Sequence, residues 1–201
     1  SRYVPFDPRE GRFEDSSEAS FFPVHLSAMS PTLIEAELFG HARGAFTGAV
    51  GQRIGWFEAC PPTGVIFLDE VGELAPSIQV KLLRVLQQRE FARVGETKIR
   101  RFAGKIVAAT NRSLDMMMRS GDFREDLFYR LCSDMIEVPS LRERVDDDPR
   151  ELSMLVTTLV GRMLGGDTSR AIAIEEQVRA SVGDRYPWPG NIRELEQCIR
   201  N

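Results

Sequence analysis

Two adjacent carboxylates, Asp69 and Glu70, end a short apolar run in the segment GVIFLDE. Such a run is typical of a buried parallel strand, and its polar end is a suitable place for chemistry. In nucleotide hydrolysis the first carboxylate can hold Mg²⁺ through water while the second orients the attacking water. Two acids that only cap a helix after the strand are the plainer alternative. The pair alone leaves both interpretations open.

A second polar pair, Thr110 and Asn111, ends the apolar run KIVAATN, which predicts another buried strand. Strands and helices alternate in this part of the chain, which favours a mostly parallel sheet with helices on both faces. Such sheets bind ligands beyond the carboxyl ends of their strands. The candidate site residues are therefore Asp69, Glu70, Thr110 and Asn111.

Apolar periodicity and cap residues predict the other elements. Ser30 and Pro31 supply an N-cap and a first helical position, and PSIQVKLLRVLQQRE has one continuous apolar helical face. We also expect strands in FFPVHLSA and DMIEVPS, a hairpin in EFARVGETKIRRF, and helices in TLIEAEL, REDLFYRL, IEEQVRASV, NIRELEQCIR and the segment from Leu152 to Met163.

The pattern becomes all-helical after the acidic segment Asp146 to Pro149, and we predict a domain boundary at this shift in composition, near Leu141 to Asp148. Residues 1–20 are polar and are expected to be irregular. Residues 21–143 form the predicted α/β core, and residues 144–201 form a helical subdomain.

The composition is that of a globular chain of 201 residues. With 26 basic and 30 acidic residues the net charge is −4, which argues against broad nucleic-acid binding. Cys60, Cys132 and Cys198 lie far apart and are interpreted as reduced core thiols. We find neither a signal sequence nor the ~20 apolar residues of a membrane span, and we predict a cytoplasmic protein.

The motif GAFTGA places an aromatic residue and a threonine among small residues. Gly44 and Gly48 free the backbone, so we expect a loop between Phe39 and Arg53. On such a loop Phe46 would be exposed, as interface anchors are. A packing role for Phe46 within the loop is the alternative.

The order of motifs resembles the central AAA+ ATPase domain of sigma-54-dependent bacterial transcription activators. The resemblance covers residues 21–201, and GAFTGA is close to diagnostic because other AAA+ families lack it. It implies an α/β fold with an AAA+ P-loop-type parallel sheet core, incomplete at its N-terminus, and a small helical lid. The motifs that carry it are ELFGHARGAFTGA, GVIFLDEVGEL, QVKLLRVLQQREFARVG, KIVAATNR, FREDLFYRL and YPWPGNIREL.

By this resemblance Asp69 and Glu70 are the Walker B pair, with Asp69 as the Mg²⁺ ligand, and Thr110 and Asn111 lie at the sensor I position. It also implies that ATP and Mg²⁺ are the cofactors. The residue types and their spacing alone establish neither these roles nor these cofactors.

Three arginines receive roles from the same resemblance. Arg124 and Arg130 match the arginine-finger region, where one subunit reaches the γ-phosphate held by its neighbour, and Arg193 matches sensor II. A guanidinium can bind phosphate oxygens bidentately. The plainer alternatives are a solvated helix face with local acidic partners for the first two and an i, i+3 pair with Glu196 for Arg193.

The resemblance makes the GAFTGA loop the surface that touches sigma-54 and is moved by ATP hydrolysis to remodel the RNA polymerase closed complex. It further implies self-association into a ring, expected to be a hexamer. We expect neither direct DNA binding nor membrane binding. The loop residues concerned are Gly44, Ala45, Phe46, Thr47, Gly48 and Ala49.

The phosphate-binding loop G-x-x-x-x-G-K-[ST] has no match in this sequence. At the Gly104-Lys105 pair, Ile99 stands where the motif needs its first glycine and Ile106 stands where it needs serine or threonine. Either the chain begins after that loop or the protein is a nucleotide-free, AAA+-like module that binds the sigma factor. We expect weak or no ATP binding by this chain. We also expect an unfilled place in the sheet, which residues 2–6 or a second molecule could occupy. An AAA+ protein of another class, such as a helicase loader, is disfavoured by GAFTGA.

His25 stands where related activators usually have asparagine, which holds the Walker B glutamate inactive until the partner binds. An imidazole could hydrogen-bond Glu70 in the same way. The alternative is a core histidine with no switching role.

Overall fold

The computed structural model describes residues 6–7, 12–13, 21–183 and 185–200. The chain divides into two compact units, Ser1–Met135 and Ile136–Asn201. The described strands are β1 (Phe6–Asp7), β2 (Arg12–Phe13), β3 (Phe21–His25), β4 (Gly40–His41), β5 (Arg53–Ile54), β6 (Val65–Asp69), β7 (Glu90–Phe91), β8 (Arg100–Arg101) and β9 (Lys105–Ala109). The helices are α1 (Pro31–Phe39), α2 (Trp56–Ala59), α3 (Pro76–Gln88), α4 (Leu114–Ser120), α5 (Glu125–Leu131), α6 (Leu141–Asp147), α7 (Arg150–Met163), α8 (Ala171–Val182) and α9 (Asn191–Arg200).

A three-stranded parallel sheet in the order β3-β6-β9 is the centre of the first unit. Helix α1 begins as predicted, with the Ser30 side chain accepting a hydrogen bond from the Leu33 N–H and Pro31 in the first turn. The amphipathic helix α3 buries Ile78, Leu82 and Val85. The predicted α/β fold is therefore confirmed.

One face of this sheet lies in the core, where Val24, Ile66 and Leu68 are buried. An aromatic cluster extends that core into the short hairpins, with centroid distances of 5.3 Å between Phe39 and Phe57 and 5.1 Å between Phe57 and Phe102. The chain's hydrophobic alternation thus places every second strand residue inside the first unit.

Strand β9 differs from the expectation of a fully buried strand. Lys105 and Val107 are exposed, and the edge of β9 away from β6 pairs with no strand among the described residues. A parallel strand is fully buried only when it has a neighbouring strand on each side and both faces of the sheet are covered. The periodicity predicted the strand but not its position at the edge of the sheet.

The third strand predicted in DMIEVPS is wrong, because residues 134–139 are neither helix nor strand. Met135, Ile136 and Val138 are 75%, 88% and 82% exposed. A β-strand needs a neighbour for its backbone hydrogen bonds, and this segment has no strand partner within the described parts of the chain.

The N-terminal residues are described only at Phe6–Asp7 and Arg12–Phe13, which pair as antiparallel strands. This differs from the irregular segment expected over residues 1–20. Phe6 pairs with Phe13 and not with the three-stranded sheet, and residues 2–5, proposed to fill a place in that sheet, lie outside the described residues.

The second unit contains α6 to α9, whose buried residues include Leu141, Val156, Trp188 and Leu195. A capping box begins α6, since the Ser140 side chain and the Glu143 carboxylate bond each other's backbone N–H groups. The division at Met135 comes earlier than the predicted boundary because Leu141 on α6 belongs to the helical core.

Candidate functional site

The parallel register aligns the carboxyl ends of all three central strands. His25 lies opposite Asp69 on β6, and Asp69 lies opposite Ala109, the last residue of β9. Thr110 and Asn111 follow Ala109 directly. The four candidate residues Asp69, Glu70, Thr110 and Asn111 therefore lie together at the edge of the sheet formed by the carboxyl ends of its strands. This edge is the candidate site.

Asp69 Oδ2 accepts a hydrogen bond from the imidazole of His25, whose Nδ1 lies 3.0 Å away. The Asp69 side chain is 35% exposed and can therefore be reached from solvent. His25 thus contacts the first carboxylate of the pair and not Glu70, the partner that the resemblance suggests for it.

Glu70 has a left-handed backbone conformation with φ of 61°. For a residue with a Cβ this conformation costs ~1–2 kcal/mol, and such residues cluster at functional sites. Its Oε2 accepts a hydrogen bond of 3.3 Å from the Asn111 N–H. The strained backbone and this bond together direct the Glu70 carboxylate towards the end of β9.

The turn after Glu70, residues 71–73, packs against the end of β9. A Cβ placed on Gly72 would lie 3.0 Å from Thr110 Oγ1, so glycine allows the close approach. Thr110 Oγ1 accepts a hydrogen bond from the Arg112 N–H, and the Arg112 guanidinium pairs with Glu73 at 2.5 Å. The Thr110 hydroxyl thus faces both the turn and the site.

Arg124 and Arg130 lie at the start and near the end of α5, and both are exposed. Arg124 donates two hydrogen bonds to Asp126, of 2.9 and 2.7 Å. These bonds raise the pKa of Arg124 and lower the pKa of Asp126. Arg124 therefore has the local acidic partner that the plainer alternative proposed, while Arg130 pairs with no acid among the described residues.

The GAFTGA segment forms a loop between β4 and β5, as the sequence predicted. The Gly44 N–H donates to the Ala49 carbonyl at 2.8 Å, which closes the loop on itself. Gly44 and Gly48 have φ of 77° and 98°, which glycine adopts without strain. Phe46 is half-buried against His41 with ring centroids 5.0 Å apart, so it is less exposed than expected.

The hairpin of β7 and β8 holds the base of this loop. The Ala42 N–H donates to the Val94 carbonyl, and the Val94 N–H donates to the Gly40 carbonyl, both at 2.9 Å. A Cβ on Gly95 would lie 2.9 Å from the Ala45 Cβ. The turn of the hairpin therefore supports the loop directly.

The family model of the sigma-54 interaction domain matches residues 12–137. The chain belongs to this family. It is 48% identical to the Nif-specific regulatory protein of Azotobacter vinelandii over 180 residues, which are 89% of this chain and 33% of the relative. It is also 48% identical to the nitric oxide reductase transcription regulator NorR1 of Cupriavidus necator over 179 residues, 88% of this chain and 33% of that protein. The chain thus spans about a third of the length of these relatives.

Solved structures of NtrX from Brucella abortus have the same fold as this sigma-54 interaction domain. The complex of NtrX with ADP superimposes with a TM-score of 0.72 at 29% identity, covering 91% of this chain and 39% of NtrX. The complex with ATP gives a TM-score of 0.70 at 28% identity, with 91% and 38% covered.

Two buried polar residues of this domain were missed in the sequence, Gln79 and Arg93. Arg93 is 8% exposed and donates two hydrogen bonds of 2.8 Å to Glu58. The hydrogen bond from Arg93 is the main cause of the lowered pKa of Glu58, and Arg100 adds to it at 3.0 Å. Glu96 pairs with both arginines, so charged groups tie α2 to the hairpin below the loop. Arg93 lies in a hairpin turn, where no apolar periodicity could reveal its burial.

Arg193 lies on the first turn of α9 in the second unit and is exposed. The pair expected with Glu196 does not form, because Glu196 pairs with Arg200 at 2.9 Å. Asn191, the first residue of α9, accepts a hydrogen bond of 2.7 Å from the Leu141 N–H. It therefore links the start of α9 to the start of α6.

Among the described residues the three cysteines are free, and only Cys60 is buried. No described helix is long and apolar enough to cross a bilayer. The described residues contain no group of three or more His, Cys, Asp or Glu side chains that could hold a metal. Mg²⁺ needs fewer protein ligands than that, since it takes one or two carboxylates and completes its shell with water and phosphate oxygens. The half-exposed Asp69 fits this requirement.

Proposed function

We propose that this chain supplies part of the ATP-hydrolysing core of a sigma-54-dependent transcription activator. The observation that carries the proposal is the parallel register, which brings Asp69, Glu70, Thr110 and Asn111 to one sheet edge of the unit that also holds the GAFTGA loop. Residues 21–135 are then the catalytic core and residues 136–201 the lid. The protein acts in the cytoplasm.

In this proposal Asp69 would be the residue that holds Mg²⁺, and a bound Mg²⁺ would supply neutralisation of the charge on the phosphate oxygens. Glu70 orients the attacking water, with its carboxylate held by the Asn111 N–H. Thr110 and Asn111 contact the γ-phosphate side of the site. Arg193 is proposed to act as the sensor II residue that the resemblance implies.

Arg124 and Arg130 act on the nucleotide of a neighbouring subunit, which requires a ring of subunits, proposed to be a hexamer. An arginine finger stabilises the charge that develops on the transferred phosphoryl group and can be worth ~10³-fold or more in rate. To reach a neighbouring subunit, the Arg124 guanidinium must first break its hydrogen bonds to Asp126, or Asp126 must move together with it. The ring contacts neither DNA nor membrane through this part of the chain.

The GAFTGA loop is the proposed contact with sigma-54 and RNA polymerase. Its base rests on the β7–β8 hairpin, so a movement of the hairpin would reach Ala45 and the rest of the loop. Hydrolysis is proposed to drive that movement. One relative, SfnR of Pseudomonas fluorescens, is described as a sigma54-dependent transcriptional regulator, which supports sigma-54 as the proposed partner of the loop.

A second candidate function is a nucleotide-free module that binds the sigma factor. The lack of a G-x-x-x-x-G-K-[ST] motif in this chain favours it. The two candidates are separated by the reading frame ahead of Ser1. A phosphate-binding loop there supports the ATPase, and its absence leaves the binding module.

The matching biochemical test compares this chain with a protein extended by that upstream segment. We expect calorimetry to find no micromolar ATP affinity in the chain alone and ATP hydrolysis in the extended protein. Glu70→Ala should abolish the hydrolysis, while Glu137→Ala, outside the site, should not. Activity that survives Glu70→Ala would show that Glu70 does not orient the water.

A further inference from the structure

Gln79 is a fully buried amide in the apolar face of α3. Its helical neighbours Ile78 and Leu82 are also fully buried, so the side chain has no access to water. Burying an amide costs free energy unless its polar atoms find partners. Gln79 therefore has to satisfy its hydrogen bonds within the core.

All the polar groups of this amide are used. Nε2 donates to the carbonyl oxygens of Leu74 and Asp122, both at 2.8 Å. Oε1 accepts from the Arg124 N–H at 2.9 Å. An apolar residue at position 79 would leave two carbonyls and one N–H without this partner, which destabilises the contacts that the amide makes.

These three partners belong to two separate parts of the candidate site. Leu74 ends the turn that begins directly after Glu70, and its N–H donates to the Val71 carbonyl. Asp122 and Arg124 flank the buried Phe123 and lead into α5. One side chain thus joins the turn after the proposed catalytic carboxylate to the start of the helix that carries Arg124 and Arg130.

Arg124 is held at both ends by this arrangement. Its backbone N–H is fixed by Gln79 and its guanidinium by Asp126. Arg124 is the N-cap of α5, and no side chain caps that helix. Because protein interiors are close-packed and Gln79 is fully buried, we expect a displacement of the turn to reach Arg124 through these hydrogen bonds.

We propose that Gln79 is a positioning residue that couples the turn after Glu70 to Arg124. The inference rests on the proposed function in one respect, the action of Arg124 on a neighbour's phosphate. Asp69 and Glu70 belong to the subunit's own nucleotide site, whereas Arg124 acts on the site of the neighbouring subunit. Through this coupling the state of one site changes the position of Arg124 at the next site. Gln79 itself touches neither nucleotide nor metal.

The first test needs no ATPase activity and uses this chain. Glu70→Gly removes the left-handed strain and loosens the turn, and NMR reads the Arg124 backbone N–H and Nε–H resonances. We expect both resonances to shift in the wild-type background and to stay in place when Gln79→Met is also present. Gln88→Met, the same change at the exposed end of α3, is the matched control and should leave the shift intact.

An equal shift with and without Gln79→Met would overturn the coupling, because the signal would then travel by another route such as Met117, whose carbonyl accepts from the Phe123 N–H. No shift in the wild-type background would overturn it as well. If Gln79→Met does not fold, Gln79→Asn replaces it, since this amide is one methylene shorter and cannot reach all three partners. It should reduce the shift.

The second test uses the extended protein with a phosphate-binding loop. Gln79→Met should lower kcat at least tenfold with the KM for ATP unchanged, as is also expected of Arg124→Ala, and the double variant should lose no more than Arg124→Ala alone. Additive losses would contradict a role through Arg124. If the wild-type extended protein has no ATPase activity, the proposed function fails, while the NMR result still decides the coupling.

Discussion

His25 Nδ1 lies 3.0 Å from Asp69 Oδ2, at matched positions of neighbouring parallel strands. The resemblance suggests Glu70 as the partner of His25, but the register places His25 beside the carboxylate proposed to hold Mg²⁺. The Glu70 carboxylate has its own bond to the Asn111 N–H. The two carboxylates of the pair are therefore held by different elements, Asp69 by β3 and Glu70 by the segment after β9.

This pairing predicts that His25 competes with a cation for Asp69. His25→Ala frees Asp69 Oδ2, and the loss of a hydrogen bond worth ~1 kcal/mol should tighten Mn²⁺ binding about fivefold. Electron paramagnetic resonance titration of this chain with Mn²⁺ measures the change. His41→Ala, which alters the histidine beside Phe46, is the control and should leave the affinity unchanged. An unaltered dissociation constant in His25→Ala would contradict the competition.

The Arg93–Glu58 pair predicts a measurable loss of stability. Arg93→Met removes both hydrogen bonds to Glu58 from a largely buried position, and we expect the free energy of unfolding to fall by about 2 kcal/mol, less than for a fully buried pair because Arg100 still contacts Glu58. Urea denaturation measures this difference. Arg101→Met on the same hairpin is the control, since Arg101 is 85% exposed and lies 3.8 Å from Glu90. Such an exposed pair contributes little. Similar losses in both variants would exclude a special role for Arg93.

The same pair predicts an acid-dependent term in stability. Because the pKa of Glu58 is lowered in the folded state, mainly by the hydrogen bond from Arg93, the unfolded state binds the proton more readily. The contribution is complete above the ordinary carboxyl pKa of 4.5 and is lost as the pH falls through the lower folded pKa. Urea midpoints measured from pH 6 downward should therefore fall less steeply in Glu58→Gln than in the wild type. Parallel curves would show that Glu58 does not contribute.

Sequence patterns predicted the parts of the site that depend on local order. An apolar run followed by Asp69 and Glu70 identified a strand and its polar end, and Ser30 with Pro31 identified the start of α1. What depends on long-range pairing was missed. DMIEVPS has the composition of a strand but no neighbour, and the burial of Gln79 and Arg93 follows from tertiary packing. For Gln79 a signal did exist, because it lies three residues before Leu82 on the apolar face of α3.

Gly95 predicts how the hairpin controls the GAFTGA loop. Gly95→Ala introduces a Cβ 2.9 Å from the Ala45 Cβ, at a residue with φ of 79°. Gly121→Ala has nearly the same φ, 82°, with nothing within 4 Å of the added Cβ, so it reports the backbone strain of ~1 kcal/mol alone. We expect hydrogen exchange at residues 44–49 to accelerate in Gly95→Ala and to remain unchanged in Gly121→Ala. Unchanged exchange in both would mean that the hairpin does not support the loop.

Phe46 provides the test that separates a partner contact from a packing role. The half-buried ring rests on His41, so Phe46→Ala should lower the stability of this chain by only about 1 kcal/mol, the size of an edge-to-face aromatic contact. In the extended protein the same variant should retain ATP hydrolysis and lose promoter opening with sigma-54 RNA polymerase. Val50→Ala, a change at an exposed residue directly after the GAFTGA motif, is the control and should retain both activities. Since Phe46 lies on a loop that is closed by the Gly44–Ala49 hydrogen bond, removing its ring leaves the loop backbone in place. Equal loss of hydrolysis and promoter opening would therefore assign Phe46 to packing of the domain, and loss of opening alone would assign it to the contact with the partner.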